Sequence, residues 1–468
     1  MLDPRSEVTP IAAVGDRAGR ALAADVHGHV LRPADAGYEA ARMVFNAMID
    51  RRPALIVQCA DAADVARGVT FARTSGLPLS VRGGGHSVAG NAVCDGGVLL
   101  DTSAMRSIRV DAARGTAVAD PGLTLAGFDH ATQSHGLATT MGVVSMTGIA
   151  GLTLGGGIGW LNGKHGLACD NLLAAELVTA DGRFVTAHAG ENEDLLWGLR
   201  GGGGNFGVVT SFTYRLHPVG TVLAGTVTFS PACTREALRS YHEFASSTPD
   251  ELSTAGSLAP DEDGRPVLSV TVCYCGPLAE GERMVRPLRS SQPHVQDTIG
   301  PLDYCTLQKG ADAGFPRGRQ HYWKAGFLSD LSADAIDVLL AFTAEMPSRF
   351  SGAGLQQMSG VASRVDKDAT AFAHRARHYD LNILSQWEAP GDSPRNVAWT
   401  QAFFAAMEPF LERAVYANNL GDEGEGRVRA AYGNNYARLA ALKAKYDPTN
   451  LFRFNQNVRP ASAGQATA

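Results

Sequence analysis

The chain is poor in cysteine: it has seven, odd in number and scattered over 468 residues. A disulfide framework is not expected from so few unpaired positions. Cys273 and Cys275 stand one residue apart, too close for ordinary disulfide geometry or the usual zinc spacing, so they read as alternate positions on a strand. No metal is expected. Long hydrophobic runs are also missing. No window has the length and apolarity of a membrane span, and Met1-Leu2-Asp3-Pro4-Arg5-Ser6-Glu7 lacks the apolar core of a signal peptide. An excess of basic charge is absent too: 41 Lys and Arg face 47 Asp and Glu, a net charge of -6. That argues against nucleic acid as the main partner. The expectation is a soluble cytoplasmic enzyme with no membrane and no nucleic-acid partner. Alanine richness and the preference for arginine over lysine suggest a bacterium of high genomic GC.

Glycine is abundant, with 53 residues, many in runs at 83–85, 155–157 and 201–204. Apolar segments flank each run, which suggests backbone approaching a large ligand, not flexible linkers. With 45% hydrophobic and 19% charged residues the chain is globular and long enough for two or three domains.

The pattern to about residue 220 is mixed α/β. Residues 54–59 read as a buried strand. Asp61 is a good N-cap for a helix through Ala72, closed by Gly76. Residues 78–82 and 97–101 are further strands. Hairpins are expected at 108–120 and 173–187, and helices at 123–134 and 191–199. Character changes near Pro218. From there to about 410, strands (222–229, 267–275, 322–328, 377–386) alternate with helices (235–245, 279–289, 333–344, 396–411), an α+β pattern. A helix at 428–445 is stopped by Pro448. The tail 461–468 is small and polar, and is expected to be disordered.

Leu79-Ser80-Val81-Arg82-Gly83-Gly84-Gly85-His86-Ser87-Val88-Ala89-Gly90 is a strand running into three glycines and a histidine. Such a nest lets backbone N–H groups converge on an anion. Arg82 would add fixed charge beside it, and His86 a nucleophilic ring at its rim. The stretch from Gly142 to Trp160 is a second small-residue segment ending in glycines, in which Ser145 and Thr147 are candidate donors to phosphate or ring oxygens. Two nests on separate segments favour one large ligand. Gly202-x-Gly204-x-x-Gly207 has dinucleotide-fingerprint spacing, but a helix precedes it and a strand follows, the reverse of the required context. Gly163-Lys164 is out of register for a phosphate loop, and His165 replaces Ser/Thr.

Val81-Arg82-Gly83-Gly84-Gly85-His86-Ser87 resembles the flavin-attachment motif of berberine bridge enzyme-like oxidases, in the vanillyl-alcohol oxidase superfamily. Gly155-Gly156-Gly157-Ile158-Gly159, His165-Gly166-Leu167-Ala168-Cys169-Asp170-Asn171 and Arg200-Gly201-Gly202-Gly203-Gly204-Asn205-Phe206-Gly207 follow in family order. Tyr446-Asp447-Pro448-Thr449-Asn450-Leu451-Phe452 and Asn455-Gln456-Asn457 resemble the closing motif. The resemblance spans roughly 35–460. It implies an α+β chain with a two-part FAD-binding domain (1–220 and 411–460) and an inserted α+β substrate domain (221–410). It implies FAD bonded through His86 to the flavin 8α-methyl group. Cofactor contacts would come from Arg82, Gly83, Gly84, Gly85, Ser87, Gly90, Gly142, Val144, Ser145, Thr147, Gly148, Gly151, Gly157, Ile158, Gly159, Asn171, Val178, Asn455 and Asn457. Many relatives carry a second flavin-linked cysteine, which by position would be Val144. Valine forms no thioether, so a single covalent bond is expected.

The resemblance further implies hydride transfer from a substrate C–H to flavin N5, with oxygen reoxidising the flavin to give hydrogen peroxide. The substrate would be an alcohol, an amine, a sugar-like hydroxyl or a secondary-metabolite intermediate. On residues 377–383, alternation puts His378, Asp380 and Asn382 on one face. Asp380 falls where many relatives have an acidic active-site residue. Tyr416 is the other candidate base, and in some relatives the tyrosine base aligns at Asn419. Tyr322, Trp323, Gln356 and Gln357 are candidate pocket residues. A dehydrogenase with another acceptor, a flavin-binding protein without turnover and a nicotinamide-dependent reductase on the related fold are the alternatives. The last fits worse, because those relatives lack the histidine motif. Substrate identity and oligomeric state stay open.

Overall fold

The computed structural model describes residues 16–462. Met1–Glu7 and most of the tail expected to be disordered, 463–468, lie outside them. Among the described residues, three sheets have four or more strands. The first has parallel strands Leu55–Gln58, Val98–Asp101 and Leu79–Arg82, with His29–Leu31 antiparallel at its edge. The connecting helix Ala62–Thr74 begins where Asp61 accepts the Asp64 N–H, and Val65, Gly68, Val69 and Ala72 form its buried stripe. Gly76 follows at φ +64°, the left-handed position that ends the turn.

The second sheet is antiparallel, in the order Ile108–Asp111, Thr116–Ala119, Val208–Arg215, Leu172–Val178, Phe184–His188. Beyond residue 220 an eight-stranded antiparallel sheet takes over. In it the strand His378–Trp387 lies between Gly352–Met358 and Gln320–Leu328. Helices Thr234–Ser246, Leu278–Arg289, Ala333–Ala344 and Ser393–Met407 cover one face. Their apolar stripes bury Tyr379, Leu381 and Ile383 of that strand, together with Leu355. Alternation therefore turns His378, Asp380, Asn382 and Leu384 to the opposite face, toward the glycine-rich segments.

Two strands of this sheet carry weak sequence signals. Leu252–Pro260 pairs with Pro266–Tyr274 across the expected turn at Asp261–Gly264. Gly352–Met358 contains two glycines and two glutamines, a composition poor in β-formers, and is held by strands on both sides. The helix expected at 428–445 is two helices, Gly424–Tyr432 and Tyr436–Tyr446, because Gly433 adopts φ +50° between them. The segment after residue 415 returns to the first two sheets. Lys443, fully buried, donates to the carbonyls of Asn205 and Phe452 at 2.7 and 2.8 Å and to Asp447 Oδ2 at 2.7 Å. Asp447 also accepts the N–H groups of Leu451 and Phe452, both at 2.8 Å.

Candidate active site

The two glycine segments cross at their backbones. A Cβ on Gly84 would collide with the backbone nitrogen of Gly148, and one on Gly148 with that of Gly84. Gly83 faces the Pro121 carbonyl, and Gly85 sits at φ +68°. Glycine is thus required by contact at Gly84 and by conformation at Gly85. Gly90, at φ +71°, closes a turn by donating to the Ser87 carbonyl.

Arg82 differs from its expected role. Its guanidinium is buried and engaged, Nη2 at 2.6 Å and Nε at 3.2 Å from the Asp101 carboxylate, with Nη1 on the Met43 carbonyl. It anchors the parallel strands instead of offering free charge to the nest. Arg317 comes closer, donating to the Gly84 carbonyl at 3.1 Å.

His86 stacks on Phe45 with centroids 3.9 Å apart, and Phe45 stacks in turn on His321 at 4.3 Å. His86 Nε2 is buried and without a protein partner. Burial, reinforced by the Arg317 charge, pushes the His86 pKa down to about 4, so the ring is neutral at pH 7 with a lone pair available. Phe45 and His321 carried no motif. Their signal is the three-ring contact itself, which joins segments far apart in sequence.

Ser145 donates through N–H and Oγ to the Asp312 carboxylate, at 2.7 and 2.5 Å, so its two donors already grip an anionic group. The neighbouring Val144 is buried. The Thr147 carbonyl accepts from Leu125 and its N–H donates to Val144, which folds the segment tightly. A Cβ on Gly142 would press on Leu125 and Leu152. Gly151 is exposed on the helix Ile149–Leu154, where a Cβ would meet nothing. Gly156 and Gly157 have φ +130° and +86°, and Gly159 abuts the Met141 carbonyl. Ile158 packs with Phe327, Met358 and Tyr416. Asn171 donates to the carbonyls of His165 and Leu167 and accepts from His217, locking that loop. Val178 is a fully buried strand residue in the cluster that includes Leu451 and Phe452.

Asp380 is 2% exposed. Its Oδ2 accepts from Asn419 Nδ2 at 2.5 Å, and its Oδ1 has no protein partner. Burial pushes its pKa up to about 7, opposed by the Asn419 hydrogen bond. The Tyr416 hydroxyl oxygen accepts from the Gly157 N–H at 2.8 Å and from Asn418 at 2.7 Å, and burial raises its pKa. Gln356 reaches the Ile158 carbonyl, on the same side as Asp380. Gln357 and Tyr322 point the other way, to Ala245 and Gln401 on the helical layer. Trp323 lies on the Asp380 side, edge-on to Phe45 at 6.1 Å.

Residues 53–188 match the family model described as FAD binding domain, and 415–459 the one described as berberine and berberine like. The chain is 34% identical to an FAD-linked oxidoreductase of Dictyostelium discoideum, over 89% of this chain and 91% of that one. The chain belongs to the berberine bridge enzyme-like family of FAD-linked oxidoreductases. It is 31% identical to (R)-6-hydroxynicotine oxidase of Paenarthrobacter nicotinovorans, over 93% and 97% of the two chains. The solved 6-hydroxy-D-nicotine oxidase from Arthrobacter nicotinovorans superposes with a TM-score of 0.85 at 29% identity, covering 97% of this chain and all of that one. The α+β family fold is therefore present. Among the described residues no helix is long and apolar enough to cross a membrane.

The residues fit FAD on their own chemistry. Beyond His86 Nε2, the buried Oδ1 atoms of Asn455 and Asn457 lack protein partners, while Asn455 Nδ2 is tied to the carbonyls of Gly204 and Phe452. Buried polar atoms are normally paired, and these lie in the motifs that carry the family match. The Gly84→Ala variant is expected to retain little flavin, because its methyl group separates Gly84 from Gly148. The ratio of flavin to protein absorbance in purified variant and wild type checks this.

Proposed function

We propose that this protein is a singly covalent FAD oxidase of a small alcohol or amine, with Asp380 as the base. The observation that carries this reading is Asp380 itself: a buried carboxyl with one free oxygen and a pKa raised to about 7, facing the glycine-rich segments. A catalytic base works best with a pKa near the working pH.

Of the expected division, the described residues 16–220 with 411–460 would make the FAD-binding domain, and 221–410 the substrate domain. His86 would hold the flavin covalently through its unpartnered Nε2, and the glycine segments around Gly84 and Gly148, with Asn455 and Asn457, would hold the rest of the cofactor. FAD, when bound, would supply the hydride acceptor and a route for the electrons to oxygen, with hydrogen peroxide as the product. Asp380 takes the hydroxyl proton of an alcohol, or the ammonium proton of an amine, through Oδ1, while Asn419 fixes the carboxylate through Oδ2. Tyr416 is a poor base, because burial opposes the phenolate. Its oxygen instead ties Gly157 to the segment after residue 415. The oxidase relatives support reaction with oxygen.

Acid precipitation tests the covalent link. Yellow colour is expected in the wild-type pellet, and in the supernatant for His86→Ala. Anaerobic mixing with a panel of primary alcohols and secondary amines should bleach the flavin, and admitting air should restore it with stoichiometric peroxide. Bleaching that air fails to reverse would replace the oxidase with a dehydrogenase.

A further inference from the structure

The face of the large sheet that carries Asp380 is not fully covered. The strand His378–Trp387 has a paired neighbour on each side, yet Asn382 and Leu384 are only half-buried, whereas Leu381 and Ile383 on the helical side are buried. Gly352, Gly354 and Gln356 on the adjoining strand are half-buried as well. Asn382 lies opposite Ala325 on one side and Gly354 on the other. Neither neighbour has a side chain beyond a methyl group, and a Cβ on Gly354 would meet nothing nearer than 3.8 Å. Asn382 thus stands between two low positions, and its Oδ1 is buried without a partner. An unpaired amide costs stability unless a ligand satisfies it.

This face of the three strands carries Asp380 and no lysine or arginine. Lys324 points to the helical layer, where it pairs with Glu423 at 2.6 Å and lies over Phe404. An anionic substrate would meet the Asp380 carboxylate on strands that supply no cation of their own, Arg317 being held at the Gly84 carbonyl. Same-face residues two apart on a strand are separated by about 6.5–7 Å. Trp323, buried on this face beside Leu384 in register, provides a flat wall.

We propose that Asn382 is the specificity residue: it receives an uncharged hydrogen-bonding group of the substrate, such as a phenol or carboxamide, about 7 Å from the group that Asp380 deprotonates. The substrate is then a flat, uncharged or cationic molecule with two polar ends, and not a carboxylic acid. This rests on Asp380 marking the reacting end.

The test uses the flavin-loaded enzyme and four probes: benzyl alcohol, 4-hydroxybenzyl alcohol, 4-(hydroxymethyl)benzamide and 4-(hydroxymethyl)benzoate. Binding is read from the perturbation of the flavin spectrum, and oxidation separately from anaerobic bleaching. The phenol and the amide are expected to bind about tenfold tighter than benzyl alcohol, the scale of one net hydrogen bond, with the benzoate weakest. Asn382→Ala should level the preference. Asn382→Asp should transfer it to 4-(hydroxymethyl)benzylamine, a gain that mere unfolding cannot produce. Equal affinities in wild type and Asn382→Ala, tightest binding of the benzoate, or no spectral change with any probe at millimolar concentration would overturn the assignment. Discrimination without bleaching would support Asn382 while removing the oxidation reading.

Discussion

Replacing Asp380 by Asn is expected to slow anaerobic flavin reduction by about 10²–10⁴-fold, the usual contribution of a positioned acid or base. The substitution keeps the size of the side chain and removes its ability to take a proton. Asn382 stays in place on the same face, so substrate binding should change far less than the rate. The pH dependence gives a second readout. A base must be ionised, and burial places the Asp380 pKa at about 7. The wild-type rate of reduction is therefore expected to rise with pH through that value, and the Asp380→Asn profile to be flat there. Asn419→Ala removes the N–H that stabilises the carboxylate. Its inflection should move to higher pH, leaving a slower enzyme at pH 7. Stopped-flow reduction across pH 5–9, the range about two units either side of that pKa, checks all three proteins.

Asp447→Ala is expected to destabilise the protein by about 3–5 kcal/mol, the range for removing one partner of a buried ion pair. Lys443 and Asp447 are both fully buried. Without the carboxylate, the ammonium keeps two carbonyls and no anion, and the N–H groups of Leu451 and Phe452 lose their acceptor. Denaturant unfolding followed by fluorescence measures the loss. The double variant Lys443→Met/Asp447→Leu should recover only the part due to the unpaired ammonium, because the N–H groups of Leu451 and Phe452 stay without an acceptor. A recovery of that kind would separate the charge effect from the damage to the turn.

The sequence was most legible where local chemistry decides local structure. Asp61 as N-cap and the alternation around Asp380 both express short-range rules, and the structure contains each of them. The strand Gly352–Met358 was hidden because its neighbours, not its residues, hold it extended. Arg82 looked free for phosphate because Asp101, its partner, lies on the adjoining parallel strand. Phe45 and Asp312 were invisible for the same reason, since their contacts with His86 and Ser145 exist only after three sheets come together. Gln356 and Gln357 show how one residue of register separates a site-facing amide from one fixed to the helical layer.

The Lys443 clamp also has a bearing on biosynthesis. Asn205, in the early half of the chain, is held by Lys443 and by the backbone at Gln456 and Val458. A ribosome makes those partners more than 200 residues later, as the separations of 238 and 251 positions require. During most of translation, then, the FAD motifs near Gly84 and Gly148 lack the wall that carries Asn455 and Asn457. With Asn455 and Asn457 holding FAD as proposed, cofactor capture is expected to be a late event, and chains released by ribosomes that stall before residue 415 are expected to lack a complete flavin site.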